Sequence, residues 1–361
     1  MFFACCTYRR VYFFPEFYNT KHIHFGLNLV AYIFCSTFDG NGVGIHVIQS
    51  NPNQAGTIEI HDASASHNNR TGVYAKNRGV NLSLKNVAVI DNDIIHEHFG
   101  GIYIISYGGK VHIEGADVRE NEEYGVVLLG NEGASFTVNN TNSTDNGSIG
   151  ILLHNTLADA KFDVDLTRSV NNKSVGIMIN CFDSSASLKD VDVTPNLDGM
   201  YVYINREGHV DLALDGEIAA NNNTIGGIIV HGPNGSADIY INGHVTTNSN
   251  VEVGFQVKNY TEANLFLSSG ASFMACNNPI DIENLGSGKF LAKSYPFPPL
   301  TCNDCPLEPE DVSLAAVGST ENTAMESKVL QGGLDLELEV EIGEVREESR
   351  GGSTATLGLF N

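Results

Sequence analysis

The sequence predicts an all-β chain: a right-handed parallel β-helix of about ten stacked coils, with three short strands per coil and an acidic C-terminal tail expected to be disordered. Three observations predict it. A glycine-led apolar phrase recurs every 23 to 29 residues, an asparagine stands shortly before each phrase, and two further short apolar segments fill each interval.

The phrases are "GIHV" at 44, "GVYA" at 72, "GIYI" at 101, "GVVL" at 125, "GILL" at 150, "GIMI" at 176, "GMYV" at 199, "GIIV" at 227 and "GFQV" at 254. Each alternates fixed apolar with variable positions, the period of a strand rather than of a helix. The asparagines are Asn41, Asn69, Asn92, Asn121, Asn146, Asn172, Asn196, Asn222, Asn250 and Asn278. Asparagine tolerates the left-handed backbone, and stacked amides can bond to one another, so a column of them suits a sharp corner repeated in every coil. Segments such as "NLSLKNVAVIDN" (81–92) and "KVHIEGADVREN" (110–121) supply the other two strands. Three strands and three corners close a triangular coil, and stacked coils bury one continuous interior. A propeller blade needs a longer repeat, a leucine-rich repeat would show a leucine framework, and helical repeats would show a period of 3.6.

In the glycine, the inward aliphatics and the corner asparagine, the chain resembles the parallel β-helix repeat proteins of the pectin-lyase-like superfamily over about residues 27 to 282. The resemblance implies the fold and a setting of carbohydrate binding or polysaccharide chemistry. It implies no particular reaction, because every matching position is structural. The Asp-rich, "GHG" and "RIK" motifs of the polygalacturonases and the "DPHD" of the alginate epimerases are absent from the sequence.

Four segments follow from the pattern. Residues 1–26, rich in aromatics, read as a leader or cap over the first coil. Residues 27–285 are the β-helix, and 286–306 are a Pro-rich exit segment containing Cys302 and Cys305 in a CxxC. Residues 307–361 are the acidic tail, where 307–350 hold twelve acids against three bases. Within it "LDLELEVEI" (334–342) alternates cleanly, as a docked strand or as a solvated segment kept soluble by charge.

A net charge of −23, with only 20 Lys and Arg, argues against a nucleic-acid partner. The apolar run from Phe25 to Cys35 is too short to span a bilayer. None of the seven cysteines falls in the paired CxxC spacing of a zinc site, and the CxxC at 302–305 reads as a local disulfide or two free thiols rather than a redox centre.

Outward columns are where function can sit. In the glycine-led strand they are His46, Tyr74, Tyr103, Val127, Leu152, Met178, Tyr201, Ile229 and Gln256, an apolar stripe on which Tyr74, Tyr103 and Tyr201 offer platforms for sugar rings. The strand after it has a more polar column, Glu59, Ser83, His112, Thr137, Asp163, Lys189 or Ser187, Asp211, Tyr240 and Phe266, in which Asp163, Lys189 and Asp211 are candidates to bind a cation or to abstract a sugar-ring proton on three successive coils. A structural ladder of alternating charge explains the same residues. The corner "DNDIIHEHFGG" (91–101) gathers Asp91, Asp93, His96, Glu97 and His98, ligand types for a metal, although loops also collect polar residues for solvation alone.

Sequons occur at Asn69, Asn81, Asn139, Asn142, Asn146, Asn172, Asn222, Asn234 and Asn259, of which 69, 146, 172 and 222 are expected to be committed to the corner. The expectation is a scaffold that presents a flat face to a polysaccharide or to a cell-surface or matrix component, without evident catalysis, outside the cell or on its surface. The alternative is a polysaccharide lyase, epimerase or glycoside hydrolase. No metal and no cofactor is implied, calcium being the one ion the acids would suit.

Overall fold

The structure, a computed structural model, describes residues 22–24, 30–48, 56–93, 100–155, 159–258, 260–285 and 289–294. Every strand pairing among them is parallel, and the chain winds through about nine turns of a β-solenoid without a helix among the described residues. No described helix is long and apolar enough to cross a membrane.

Three sheets run along the axis. The glycine-led strands form the first sheet, for example Ile102–Tyr107 on Val126–Asn131 on Ile151–Asn155. The second stacks Lys110–Glu114 on Ser135–Asn139, which pairs in turn with Ala160–Val170. The third is built from strands as short as three residues, such as Asp117–Arg119 on Asn142–Thr144. The first sheet begins upstream, where His22–His24 pairs with Ile45–Ile48, and the second continues through Lys289–Ser294. In mid-rod the strands Val175–Asp192 and Asp198–Ala219 are continuous round the corners, so one strand serves all three sheets.

The inward aliphatics fuse into a single core running from Ile33 to Ala275. Phe136 and Phe162 stack inside it with ring centroids 5.3 Å apart. An inward residue thus packs against its equivalents above and below as well as across the triangle, which is how a thin coil buries its side chains completely.

The asparagine column exists, with two members corrected. Asn68 and Asn223 are the buried residues of the ladder, whereas Asn69 and Asn222 are exposed neighbours. Nδ2 donates to the next Oδ1 along the axis, from Asn68 to Asn92 at 2.8 Å, Asn92 to Asn121 at 2.9 Å, Asn121 to Asn146 at 3.0 Å and Asn146 to Asn172 at 2.9 Å. The same Oδ1 atoms accept from backbone N–H groups, as Asn121 Oδ1 does from Asn92 N at 3.1 Å. Except before Asn196, which follows Pro195, the left-handed backbone falls on the residue just before the ladder member: His67, Asp91, Glu120, Asp145, Asn171, Asn222, Ser249 and Asn277 all have φ between 54° and 58°. A column of identical amides therefore needs a bent residue beside it rather than within it.

The glycine of each phrase has a steric reason. A methyl group on Gly125 would lie 2.5 Å from the carbonyl oxygen of Gly150 and 2.7 Å from Nδ2 of Asn146, so the first strand passes too close to the ladder for any side chain.

The leader other than His22–His24, the Pro-rich exit other than Lys289–Ser294 and with it the CxxC, the acidic tail, His96, Glu97, His98 and Asn259 lie outside the described residues. Of the rest of the 91–101 corner, Asp93 is fully buried and does not protrude as expected. Cys35 and Cys181 are free, while Cys276 is disulfide-bonded.

Candidate functional site

The two outward faces differ from their sequence expectation in opposite ways. On the first sheet Tyr103 and Tyr201 keep only 2% and 5% of their surface, and Val127, Leu152, Met178 and Ile229 are equally covered. Tyr74, half-buried, stacks on Tyr103 with centroids 5.8 Å apart and planes 5° apart, and His46 meets Tyr74 edge-on. Tyr201 is four turns further along from Tyr103, where its hydroxyl pairs with His231 Nδ1 at 2.9 Å and Lys258 Nζ lies 5.5 Å from its ring centre. In-register stacking of large side chains makes each cover the next, so the expected ledge is a packed column and not an open shelf for sugar rings. Burial, and after it the neighbouring Tyr74, pushes the Tyr103 hydroxyl well above its ordinary pKa.

On the second sheet the outward residues remain half-exposed. Each strand there presents three outward side chains, and the sequence did not say which belong to one ladder. Asp163, Lys189 and Asp211 do occupy three successive turns, but they stand on three different ladders. Asp163 is in register with Thr137 and Ser187, Lys189 with Asp165 and Asp215, and Asp211 with Ser185 and Asp238. Each has its own partner: Lys161 Nζ lies 3.3 Å from Asp163, Lys189 Nζ lies 3.7 Å from Asp165 and 3.8 Å from Asp190, and His209 Nε2 lies 3.4 Å from Asp211. The structure does not bring the three together around one point.

What it does bring together lies on the turn of Asp211 and the two that follow. The strand Asp198–Ala219 turns His209 and Asp211 outward, since alternate residues share a face. Ser236–Ile241 adds Ser236, Asp238 and Tyr240, and Glu262–Leu267 adds Asn264 and Phe266. Asp211, Asp238 and Asn264 form one ladder, and Ala213, Tyr240 and Phe266 the next. The rings of Tyr240 and Phe266 are stacked, 4.8 Å apart and 9° from parallel.

The polar half of the patch is tied internally. His209 Nδ1 is 2.8 Å from Ser236 Oγ. Asn264 Nδ2 donates to Asp238 Oδ1 at 2.8 Å, and the Tyr240 hydroxyl points to Asp238 Oδ2 at 3.4 Å. Loss of hydration, then the charges of Asp238 and Asp211, raise the pKa of Tyr240 and keep its proton on the hydroxyl as a donor. One ligand atom each from His209, Asp211 and Asp238 falls within 4.8 Å of the other two, the one such group of metal-ligand side chains found among the described residues.

Chemically, this patch offers a flat aromatic surface beside two carboxylates, an imidazole and a phenol. The chemistry of such a surface matches a polyhydroxylated ring, whose apolar C–H edges suit aromatics and whose hydroxyls suit acceptors. Of the patch, Asp211, Tyr240 and Phe266 were recognisable in the sequence as outward residues. His209, Asp238 and Asn264 were missed, although "VDL" at 210, "ADI" at 237 and "ANL" at 263 repeat a polar residue between inward aliphatics at the same place in three coils. The chain matches no family model, no curated protein and no solved structure.

Proposed function

We propose that this β-solenoid is a scaffold that binds a polysaccharide, or a glycan-bearing surface or matrix partner, on its second sheet, without catalysis and outside the cell. The observation that carries this reading is the half-exposed Tyr240–Phe266 stack beside Asp211 and Asp238. Membership of the pectin-lyase-like superfamily is part of the same proposal and rests on the repeat of glycine, aliphatics and asparagine.

The disulfide at Cys276 supports an extracellular setting, since such bonds persist in oxidising compartments. So do the sequons at Asn69, Asn81, Asn222 and Asn234, whose side chains are exposed. Asn69 and Asn222, freed from the ladder, are available to carry a glycan.

A glycan array probed with the full chain tests the reading. A hit is expected among neutral or acidic polysaccharides, weakened about tenfold by Tyr240→Ala or Phe266→Ala, the loss of about 1.4 kcal/mol that one stacked ring contributes. No hit, or a hit indifferent to both changes, contradicts it. The same incubation checks the alternative reading as a lyase, epimerase or glycosidase, for which new ultraviolet-absorbing or reducing ends would appear and would fall with Asp163→Ala or Asp211→Ala.

A further inference from the structure

We propose that His209, Asp211 and Asp238 form a binding site for a zinc-class divalent cation. Three observations converge on it. The three side chains each turn one ligand atom into a space where these atoms lie within 4.8 Å of one another. An imidazole with two carboxylates is a donor set suited to zinc, whereas calcium prefers six to eight oxygens. The exposed side chains of His209 and Asp211 need only small rotations to close to coordination distance, and water completes the shell.

The second observation is electrostatic. On other ladders an acid faces a base on the neighbouring strand: Glu114 with Lys85, Asp165 with Lys189, Asp192 with Arg168. Asp211 and Asp238 are register partners, and theirs is the one carboxylate-on-carboxylate pairing in the registers of the described residues. Like charges directly opposite on a sheet destabilise it unless something between them compensates. A cation there removes that cost.

The third is a buried amide. Asn264, 8% exposed, follows Asp238 on the same ladder, and its Oδ1 is buried without a hydrogen-bond partner while its Nδ2 holds Asp238. Its Nδ2 also lies 3.4 Å from Glu262 Oε1, so the amide, held between two carboxylates, fixes Asp238 beside the other two ligands. Around the ligands, Ser236 Oγ on His209 Nδ1 fixes the imidazole with Nε2 toward the carboxylates, and Tyr240 steadies Asp238. Such outer contacts orient ligands in metal sites generally.

The site goes beyond the glycan reading and does not depend on it, because zinc alone is the probe. Zinc chloride titrated calorimetrically into the full chain is expected to show one saturable equivalent. His209→Ala, Asp211→Asn and Asp238→Asn should each weaken it at least tenfold, and Asp192→Asn, on the third sheet, should leave it unchanged. Melting in the absence of metal gives a second readout: Asp211→Asn and Asp238→Asn should melt above the parent, and zinc should raise the melting temperature of the parent alone. Absence of saturable binding up to about 1 mM zinc, or undiminished affinity in both Asn variants, overturns the proposal.

Discussion

Asn68 and Asn69 are adjacent and chemically identical, yet the fold assigns them opposite roles. The side chain of Asn68 is fully buried, donates to Asn92 Oδ1 and accepts from the backbone N–H of Asn41 at 2.9 Å. Asn68→Ala strands these groups without solvent and should cost about 3 kcal/mol in denaturant unfolding. Asn69→Ala should stay within about 0.5 kcal/mol. That an asparagine column exists was legible in the sequence. Which of two neighbouring asparagines joins it was not, because the choice is made by the left-handed residue that precedes the ladder member. His154 gives a residue-scale test by pH. Desolvation lowers its pKa from 6.5 to about 4, against the opposing effect of hydrogen bonds with Asn180. The unfolded chain therefore takes up a proton that the folded chain refuses, and stability is full above about pH 6.5 and lost as pH falls toward 4. The loss should be roughly 2 kcal/mol after allowance for the part of the ring that still meets water. Urea melts at pH 7 and pH 4.5 measure it, and His154→Gln should flatten the difference.

At the scale of elements, strand periodicity was fully legible: the glycine-led phrases become first-sheet strands and the segments between them the other two sheets. The core these strands share sets the cost of damage. Phe162→Ala removes the partner of Phe136 from the interior and should cost about 3–5 kcal/mol. Gly125→Ala adds only a methyl group, but it meets main chain and ladder amide, and a cost of about 1–3 kcal/mol is expected from chemical denaturation. Register was the part that could not be read. Second-sheet strands carry several outward positions, and pairing slips between Cys181 and Asp183 and again between Lys189 and Val191. A column assembled by counting from one motif to the next thus drifts from one ladder to another, which is how Asp163, Lys189 and Asp211 were set in one line. The physical content of a site lies in that register, so the His209–Asp211–Asp238 group emerged only once strand pairings were known.

For the molecule as a whole, the solenoid makes distance along the axis a count of turns. Residues on one ladder are separated by about 4.8 Å per turn however many residues of chain lie between them. Each turn contacts chiefly its neighbours, so stability is a sum of local interfaces, and both proposed surfaces are consequences of what successive turns place in line. The most direct test of this geometry is a series of distances between paired spin labels along the ladder that runs through Glu59, Ser83, His112, Thr137, Asp163, Ser187 and Ala213. With one label at Glu59, moving the second label from Asp163 to Ser187 to Ala213 should lengthen the distance in equal steps of about 5 Å, from roughly 19 Å to roughly 29 Å. Distances that fail to rise in equal steps, or that shorten as the second label moves along the ladder, would contradict the stacked parallel coil and with it every site placed upon it.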